Sequence, residues 1–474
     1  MKQVSLVTGI AGSGKTKWLI ERVNDYAPKL IDSEYRNVLA ITRMHGSRRR
    51  VEARLREFCP SIRCSISTID GFALSIVNRW RTSLGYCSPI NAVSHESDFE
   101  KTLFGIDASF SKIVEAATSL IRNETVKRII GESYPLIVID EFQDCQGYLL
   151  EFVKQLSECS KLLLAADEFQ LLDTGGTDCP GVGWVRSLQA ANKADIRDLA
   201  KCERTTVEGI LNAAAFLRNE LKSNQVTVPV LCCPREGPAA WKIIDALVLR
   251  YYSDPWSGTT ALICPSNDPF MEKVLKSCTS QLKKRDCDPI KWHIELSTDE
   301  EQRRIRAKLR LTEEASNDDW EPPTNSLGPI ETEIVTRSER FAHLKGLTSM
   351  STSIISRHVD LVVHQRRAYG GHRSSRSVMT VHGAKNREFD NVFVLWGYKL
   401  PPNKVQQRKL LYNAITRAVK NCVVLVLGDV KRAADDPILS LLGPAQSAVP
   451  EKARQKMLRS NRKKNREIKD PDVK

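Results

Sequence analysis

A glycine-rich stretch near the start of the chain has the residue types and spacing that bind phosphate groups. Gly9, Gly14, Lys15 and Thr16 fit the pattern G-x-x-x-x-G-K-[ST], within LVTGIAGSGKTKWL. The stretch reads as a strand, a turn and the first turn of a helix, and the backbone N–H groups of such a turn cradle oxyanions. We therefore expect nucleotide binding, with Lys15 at the terminal phosphates and Thr16 on Mg²⁺. The predicted nucleotide contacts in this turn are Gly9, Ala11, Gly12, Ser13, Gly14, Lys15 and Thr16.

Two adjacent carboxylates follow an apolar segment further along the chain. LIVIDEFQD places Asp140 and Glu141 at the carboxyl end of a predicted strand, at the sheet edge where the glycine-rich turn also lies. Asp140 would hold Mg²⁺ with Thr16, and Glu141 would orient and deprotonate an attacking water. Acidic residues also follow strands as turn formers or helix caps, but the upstream glycine-rich turn favours the catalytic interpretation. The predicted ligands are a nucleoside triphosphate and Mg²⁺.

The composition of the chain limits its class and its partners. The 474 residues are 41% hydrophobic, enough for a large core and for two to four domains. The formal net charge of +14 favours an anionic partner, either nucleic acid or a membrane surface. Thirteen cysteines without a C-x-x-C pair fit neither a zinc site nor a disulfide framework. Because no run of about 18 apolar residues occurs, we expect no membrane span and a cytoplasmic location.

Short apolar segments alternate with longer amphipathic ones along the chain. Predicted strands are VLAITR (38–43), LIVIDE (136–141), KLLLAAD (161–167), TALICPS (260–266), NVFVLWG (391–397) and CVVLVLGD (422–429). Continuous apolar strands separated by helices indicate an α/β protein whose parallel sheets are covered on both faces. Residues 284–376, in contrast, are rich in charge, Ser, Thr and Pro, and predict an irregular insertion or a small subdomain. The end, EKARQKMLRSNRKKNREIKD, predicts a solvated helix or a disordered tail.

Seven segments in fixed order resemble the motifs of the UvrD/Rep-like helicases of superfamily 1. DEFQD (140–144) is similar to the second motif of that family, and the resemblance covers nearly the whole chain. The other six segments are ITRMHGSRRRVEARL (41–55), STIDGFAL (67–74), ADEFQLL (166–172), CERTTVEGILNAA (202–214), TVHGAKNREFDNVFVL (380–395) and LLYNAITRA (410–418). The fold implied is α/β, with two RecA-like parallel-sheet P-loop domains and small inserted subdomains.

The resemblance also implies a division of the chain. Residues 1–195 would form the first RecA-like, ATP-binding domain, with a small helical insertion at about 73–129. Residues 196–283 and 377–445 would form the second RecA-like domain, and 284–376 a reduced accessory insertion. A basic C-terminal tail would follow at 446–474.

Further site residues are implied only by motif position. Gln170 matches the sensor of the γ-phosphate, Glu388 a contact to the sugar of the nucleotide, and Arg204 and Arg417 the two arginines that stabilise charge on the γ-phosphoryl group. The candidates for DNA contact are Thr42, Arg43, Thr68, Thr380 and His382. The run 48–50 of three arginines would either contact the DNA backbone or merely solvate a helix face.

The resemblance implies an ATP-dependent DNA helicase or translocase. It would track on single-stranded or tailed duplex DNA, 3′ to 5′, as ATP closes two RecA-like domains. An alternative is a DNA-sensing ATPase switch in a nuclease or antiviral defence complex, which would not separate strands and would need a nuclease subunit as its partner. A role in DNA repair is also compatible with the family. A P-loop kinase is disfavoured, since the last two motifs would then have no purpose.

Several positions depart from the family pattern. Only eight residues precede Gly9 in this sequence, so we expect the upstream glutamine that reads adenine in the family to be absent; Glu203 stands where the family has an adenine-stacking tyrosine. We therefore expect relaxed selectivity for the base. Ala166 and Asn386 replace glycines of two other motifs, and weaker or differently coupled stepping is the expected result.

Overall fold

The structure of the protein is a computed structural model. It describes residues 3–26, 37–42, 45–172, 178–222, 224–233, 258–266, 274–276, 280, 292–311, 318–323, 326–369, 374–397 and 400–448. Arg43, one of the candidates for DNA contact, lies outside the described residues, as does the predicted tail from 449 onwards. For residues 45–50, which include the three arginines, the backbone is described as helical.

The described strands and helices alternate along most of the chain. The strands are β1 (Val4–Gly9), β2 (Val38–Thr42), β3 (Cys64–Thr68), β4 (Ile90–Val93), β5 (Glu100–Thr102), β6 (Gly105–Ser109), β7 (Leu136–Ile139), β8 (Lys161–Ala166), β9 (Ala194–Leu199), β10 (Val230–Cys233), β11 (Thr260–Cys264), β12 (His293–Ile294), β13 (Arg376–Thr380), β14 (Phe389–Trp396), β15 (Ala418–Leu427) and β16 (Gln446–Ser447). The helices are α1 (Lys15–Tyr26), α2 (His45–Phe58), α3 (Ile69–Arg79), α4 (Phe110–Ile121), α5 (Glu124–Ser133), α6 (Tyr148–Cys159), α7 (Pro180–Ala190), α8 (Glu208–Asn219), α9 (Thr298–Lys308), α10 (Pro329–Leu344), α11 (Thr352–Tyr369), α12 (Val381–Ala384), α13 (Lys404–Ile415) and α14 (Val430–Asp435).

The first sheet contains six parallel strands in the order β3-β2-β7-β8-β1-β9. Its central strands are buried on both faces because helices cover the two sides; all residues of β2 and β7 are buried. Each central strand therefore reads as an unbroken apolar run in the sequence. The carboxyl ends of β1, β7 and β8 lie at one edge of this sheet, which brings together the segments that follow them.

The second sheet contains seven parallel strands in the order β12-β13-β11-β14-β15-β10-β16. Its strands come from separate parts of the chain: β10 and β11 precede the predicted accessory insertion at 284–376 (the second insertion), β12 lies within it, and β13 to β16 come at its end and after it. Two parallel sheets flanked by helices confirm the predicted α/β class with two RecA-like domains.

The first insertion differs from the helical segment expected at about 73–129. It contains a three-stranded sheet, in which β4 pairs parallel with β6 and β5 pairs antiparallel with β6. These strands have three to five residues, too few for an alternating pattern to stand out in the sequence. Helices α3 and α4 bury apolar side chains, Phe72 among them, in the same core as the first sheet.

The second insertion, for which the sequence predicted irregular structure or a small subdomain, contains three helices in its described part besides β12. Helices α9, α10 and α11 enclose a separate core that includes Ile305, Ile334 and Val359. Trp320 closes this core, and its indole Nε1 donates to the carbonyl of Leu309 at 2.9 Å. The outer faces of these helices hold many charged residues, which hid the narrow apolar stripes from a reading based on composition.

The two insertions contact each other. The rings of Phe104 and Phe341 stack with centroids 4.4 Å apart, and Arg357 Nη2 lies 3.2 Å from Asp107 Oδ1. Phe104 and Asp107 belong to the first insertion, and the other two belong to the second. The accessory parts of both halves of the chain are therefore joined by a ring stack and an ion pair.

Gly131 provides a test of the packing between α5 and α6. A Cβ at this position of α5 would lie 2.5 Å from the carbonyl oxygen of Cys159 at the end of α6. Gly131→Ala should therefore lower the free energy of unfolding by about 1–3 kcal/mol, since backbone must move. The matched control is Gly183→Ala in α7, where no atom lies within 4 Å; it should raise the free energy of unfolding by up to about 1 kcal/mol. Urea unfolding midpoints measure both, and equal midpoints would contradict the packing described.

Candidate active site

The glycine-rich turn joins β1 to α1. Gly12 and Gly14 have φ values of 75° and 82°, a left-handed backbone that favours glycine. A Cβ on Gly12 would also lie 2.6 Å from the Cβ of Arg204, so this turn is packed against the segment that leads to the second sheet. The side-chain oxygen of Ser13 is buried in the turn without a hydrogen-bond partner. These features fit a cradle for phosphate oxygens.

Lys15 is folded over its own turn. Its ammonium Nζ donates to the carbonyl oxygens of Gly9, at 3.0 Å, and Ile10, at 2.9 Å. The same atom lies 3.9 Å from Asp167 Oδ2. Lys15 must leave these partners, at least in part, to reach the terminal phosphates of a nucleotide.

Thr16 and Asp140 meet at the carboxyl edge of the first sheet. Thr16 Oγ1 donates to Asp140 Oδ2 at 3.1 Å, although 124 positions separate the two residues. A hydroxyl and a carboxylate are hard oxygen ligands, which suit Mg²⁺. The structure therefore brings together the two residues predicted to hold the metal ion.

Glu141 has an unusual backbone conformation. Its φ of 60° and ψ of 42° are left-handed, which is uncommon for a residue with a side chain and recurs at active sites. Gln143 holds its carboxylate, because Gln143 Nε2 donates to Glu141 Oε2. Gln143 Oε1 in turn accepts from the backbone N–H of Asp167 at 3.0 Å. The segments after β7 and β8 are thus tied together through a buried glutamine that the sequence analysis did not single out.

Gln170 lies on the short helical turn after β8, held by a buried carboxylate. Gln170 Nε2 donates to Asp167 Oδ2 at 3.0 Å, and Asp167 is 0% exposed. The phenol of Tyr412, on α13, donates to the same oxygen at 3.3 Å. Burial raises the pKa of Tyr412, and the charge of Asp167 raises it further, so this phenol stays protonated and able to donate.

Groups from the second half of the chain, which is residue 196 onwards, contact the glycine-rich turn directly. Tyr412 Oη accepts from the N–H of Ala11 at 2.9 Å, and the N–H of Glu203 donates to the carbonyl of Gly12 at 2.7 Å. Ala11 is also part of the apolar core under the second sheet. The turn therefore lies at the boundary of the two sheets and contacts both.

The two predicted arginines lie near each other at this boundary. Arg204 Nη1 donates to the carbonyl of Thr416 at 2.7 Å, and its Nε lies 2.9 Å from Glu388 Oε1. Arg417, the next residue after Thr416, is 1% exposed, and its guanidinium donates to the carbonyl of Asn413 at 3.0 Å. Arg204 thus contacts Glu388 and the backbone of the residue before Arg417, and it also packs against the glycine-rich turn.

A second ion pair crosses the boundary between the sheets. Lys385 Nζ lies 3.1 Å from Asp144 Oδ1, and both side chains are nearly buried. Asp144 ends the DEFQD segment, and Lys385 belongs to TVHGAKNREFD. The sequence placed both residues in motifs, but only the fold pairs them.

The candidates for DNA contact lie at the ends of strands. Thr68 and Thr380 are the last residues of β3 and β13 and begin T-x-x-G segments, and the hydroxyl of each accepts from the glycine N–H three residues on, at 3.1 Å in both cases. Thr42 ends β2 and is buried, and His382 lies on α12. In this structure both T-x-x-G hydroxyls cap the helix that follows.

Asn386 illustrates a departure from the family pattern that the backbone explains. Its φ is 62°, in the left-handed region where glycine is favoured and asparagine is tolerated. The replacement of glycine is therefore compatible with the same turn. Ala166, the other replacement, is buried at the end of β8.

Comparisons with known proteins agree with this geometry. A family model for an AAA domain matches residues 1–176, which contain the glycine-rich turn, Asp140, Glu141 and Gln170. A family model for a UvrD-like helicase C-terminal domain matches residues 377–425, which contain Lys385, Glu388, Tyr412 and Arg417. No curated protein matches the chain. Within the described parts of the chain, no helix combines the length and apolarity needed to cross a membrane.

Domains of these two kinds imply nucleotide binding and ATP-dependent helicase activity on nucleic acid. Their matches fall on the two halves that the structure joins around one glycine-rich turn. Together, the two matches indicate an ATP-hydrolysing DNA helicase that is similar to the UvrD-like helicases of superfamily 1.

Proposed function

We propose that the protein is a motor that moves along single-stranded DNA, 3′ to 5′, as two RecA-like domains close on ATP and reopen after hydrolysis. The proposal is supported above all by the position of the glycine-rich turn, which contacts Glu203 and Tyr412 as well as its own sheet. A nucleotide bound there would contact both halves of the chain. Its binding energy would therefore favour the state in which the two halves are close together. We assign 1–195 to the first domain, 196–283 and 377–445 to the second, and the remainder to the accessory insertion and the tail.

The chemistry follows from the side chains that converge at the turn. Lys15 and the backbone N–H groups would bind the terminal phosphates, while Thr16 and Asp140 would hold Mg²⁺, which neutralises phosphate charge when bound. Glu141 would orient and deprotonate the attacking water. Gln170 would contact the γ-phosphate, and Arg204 with Arg417 would stabilise the charge that develops on it.

Movement on DNA would depend on the T-x-x-G segments at the two sheets. Thr68 and Thr380 each begin a helix at the carboxyl end of a strand, where backbone N–H groups favour a DNA phosphate. The ion pair between Asp144 and Lys385 connects the catalytic edge of one sheet to the segment that contains Thr380 and His382. Closure of the domains would therefore change the spacing of two phosphate contacts, which is what stepping requires.

The side chain at the expected base-stacking position has no aromatic ring. Glu203 is 52% exposed and lies 3.6 Å from the exposed ammonium of Lys17. A solvated ion pair provides no planar apolar surface for adenine. We propose that the protein accepts other purine and pyrimidine triphosphates beside ATP.

Stimulation by DNA tests the motor proposal. Single-stranded DNA should raise the ATP hydrolysis rate, and a duplex with a 3′ tail should lose its short strand in an ATP-dependent reaction. Lys15→Ala should abolish both while the fold persists, because its charge is aimed at the terminal phosphates. Stimulated hydrolysis without strand displacement would instead support the DNA-sensing switch, and a rate indifferent to DNA would refute both.

Glu141→Gln tests the proposed base. The amide keeps the shape of the side chain but cannot take a proton, so nucleotide affinity should stay close to that of the wild type while the hydrolysis rate falls at least about a hundredfold. Equilibrium binding of a labelled nucleotide and a steady-state rate separate the two effects. The matched control is Glu115→Gln, an exposed position on α4 that should keep the wild-type rate. Near-normal turnover in Glu141→Gln would exclude the assignment.

Arg204→Ala tests stabilisation of the transition state from across the boundary. Loss of the guanidinium beside Gly12 should lower kcat by about a thousandfold or more at saturating nucleotide. Arg432→Ala removes an exposed arginine of α14 and should leave kcat unchanged. A loss of less than about tenfold in Arg204→Ala would argue against this role.

A further inference from the structure

Asp167 is a buried carboxylate whose neutralisation comes from the other half of the chain. Arg218, on α8, donates from Nη1 to Asp167 Oδ1 at 2.7 Å. Oδ1 also accepts from the N–H of Phe169 at 3.1 Å. A carboxylate with no exposure needs such compensation, since its charge is poorly solvated. The sequence analysis assigned no role to Asp167 or to Arg218.

The charge of Asp167 acts on two groups that a nucleotide requires. Lys15 Nζ lies 3.9 Å from Asp167 Oδ2, and Gln170 Nε2 donates to the same oxygen. In the proposed function, both side chains contact the triphosphate. Asp167 therefore competes with the phosphates for Lys15 and Gln170, and the strength of this competition depends on how fully its charge is offset.

Arg218 is suited to set that strength. Burial is the largest single influence and lowers the pKa of its guanidinium, but the charges and hydrogen bonds of Asp167 and Tyr412 together raise the pKa above its usual value, so Arg218 remains protonated. The side chain is 27% exposed, and its pairing with Asp167 is therefore only partly screened by water. Without Arg218, the nearest full positive charge in the described contacts of Asp167 would be that of Lys15.

We propose that Arg218 is a positioning residue for nucleotide binding, because its charge offsets that of Asp167 and so releases Lys15 for the phosphates. Arg218 acts through Asp167 and does not contact the nucleotide. The inference rests on the proposed function, which places Lys15 on the triphosphate. Since Arg218 belongs to the second half of the chain and Asp167 to the first, nucleotide affinity becomes linked to the approach of the two halves.

Arg408 offers a matched control. Its guanidinium carbon lies 5.4 Å from the ring centre of Phe169, and that of Arg218 lies 5.7 Å from the same ring. Arg408 forms its ion pair with Glu220 rather than with Asp167. Arg408→Met therefore removes a cation from the same ring, from the same half of the chain, and leaves the ion pair of Asp167 intact.

The test is the affinity for a labelled, non-hydrolysed ATP analogue, measured by fluorescence at equilibrium. Arg218→Met should weaken binding at least about tenfold, because an uncompensated Asp167 retains Lys15. Arg408→Met and Arg218→Lys should stay within about twofold to threefold of the wild type. In steady state, Arg218→Met should raise KM while kcat changes little, since Lys15 has left Asp167 once the nucleotide is bound.

Second substitutions separate this role from a structural one. Adding Asp167→Asn to Arg218→Met removes the competing charge and should restore most of the affinity, whereas a merely structural role of Arg218 would make the double variant at least as weak. In a Lys15→Ala background, Arg218→Met should change affinity by less than about twofold. Unchanged affinity in Arg218→Met, or no recovery in the double variant, would overturn the inference. If Lys15→Ala itself leaves nucleotide affinity unchanged, it is the proposed function that fails.

Discussion

The charge of one buried carboxylate requires the two halves of this chain to meet where they do. Asp167 follows β8 without contact with solvent, and the second half contributes its closest cation, Arg218, and a hydrogen bond from Tyr412. A buried charge without partners would cost several kcal/mol, so this point of contact is energetically constrained. Tyr412 extends the same network to the N–H of Ala11, inside the phosphate-binding turn. The contact between the two halves therefore both compensates the charge of Asp167 and shapes the nucleotide site.

The same boundary organises the chemistry. On one side, Thr16, Asp140 and Glu141 lie at the carboxyl edge of the first sheet, with Gln143 bridging the ends of two neighbouring strands. On the other side, Arg204 packs against the turn itself, at Gly12. A site divided in this way has its full set of charges only when both halves are in contact, which is the condition for coupling hydrolysis to movement.

The insertions add a second connection between the two halves of the chain. Phe104 of the first insertion stacks on Phe341 of the second, beside the ion pair of Asp107 and Arg357. The two halves are therefore in contact at the catalytic boundary and again through their accessory parts. Any change in the separation of the sheets must be compatible with both contacts.

The sequence by itself determined the class of fold and predicted the local chemistry. The motif from Gly9 to Thr16 and the pair Asp140–Glu141 are short, and their predicted chemistry requires particular residue types, so they can be recognised in the sequence. The buried strands read as apolar runs because parallel sheets are covered on both faces. It did not reveal the small sheet in the first insertion or the helices of the second, where strands are short and charged residues mask narrow apolar stripes. Only the tertiary structure decided the pairings of Asp167 with Arg218 and of Asp144 with Lys385, residues 51 and 241 positions apart. The physical reason is that pairings at such separations are set by how whole sheets pack, and no local pattern of residues encodes that packing.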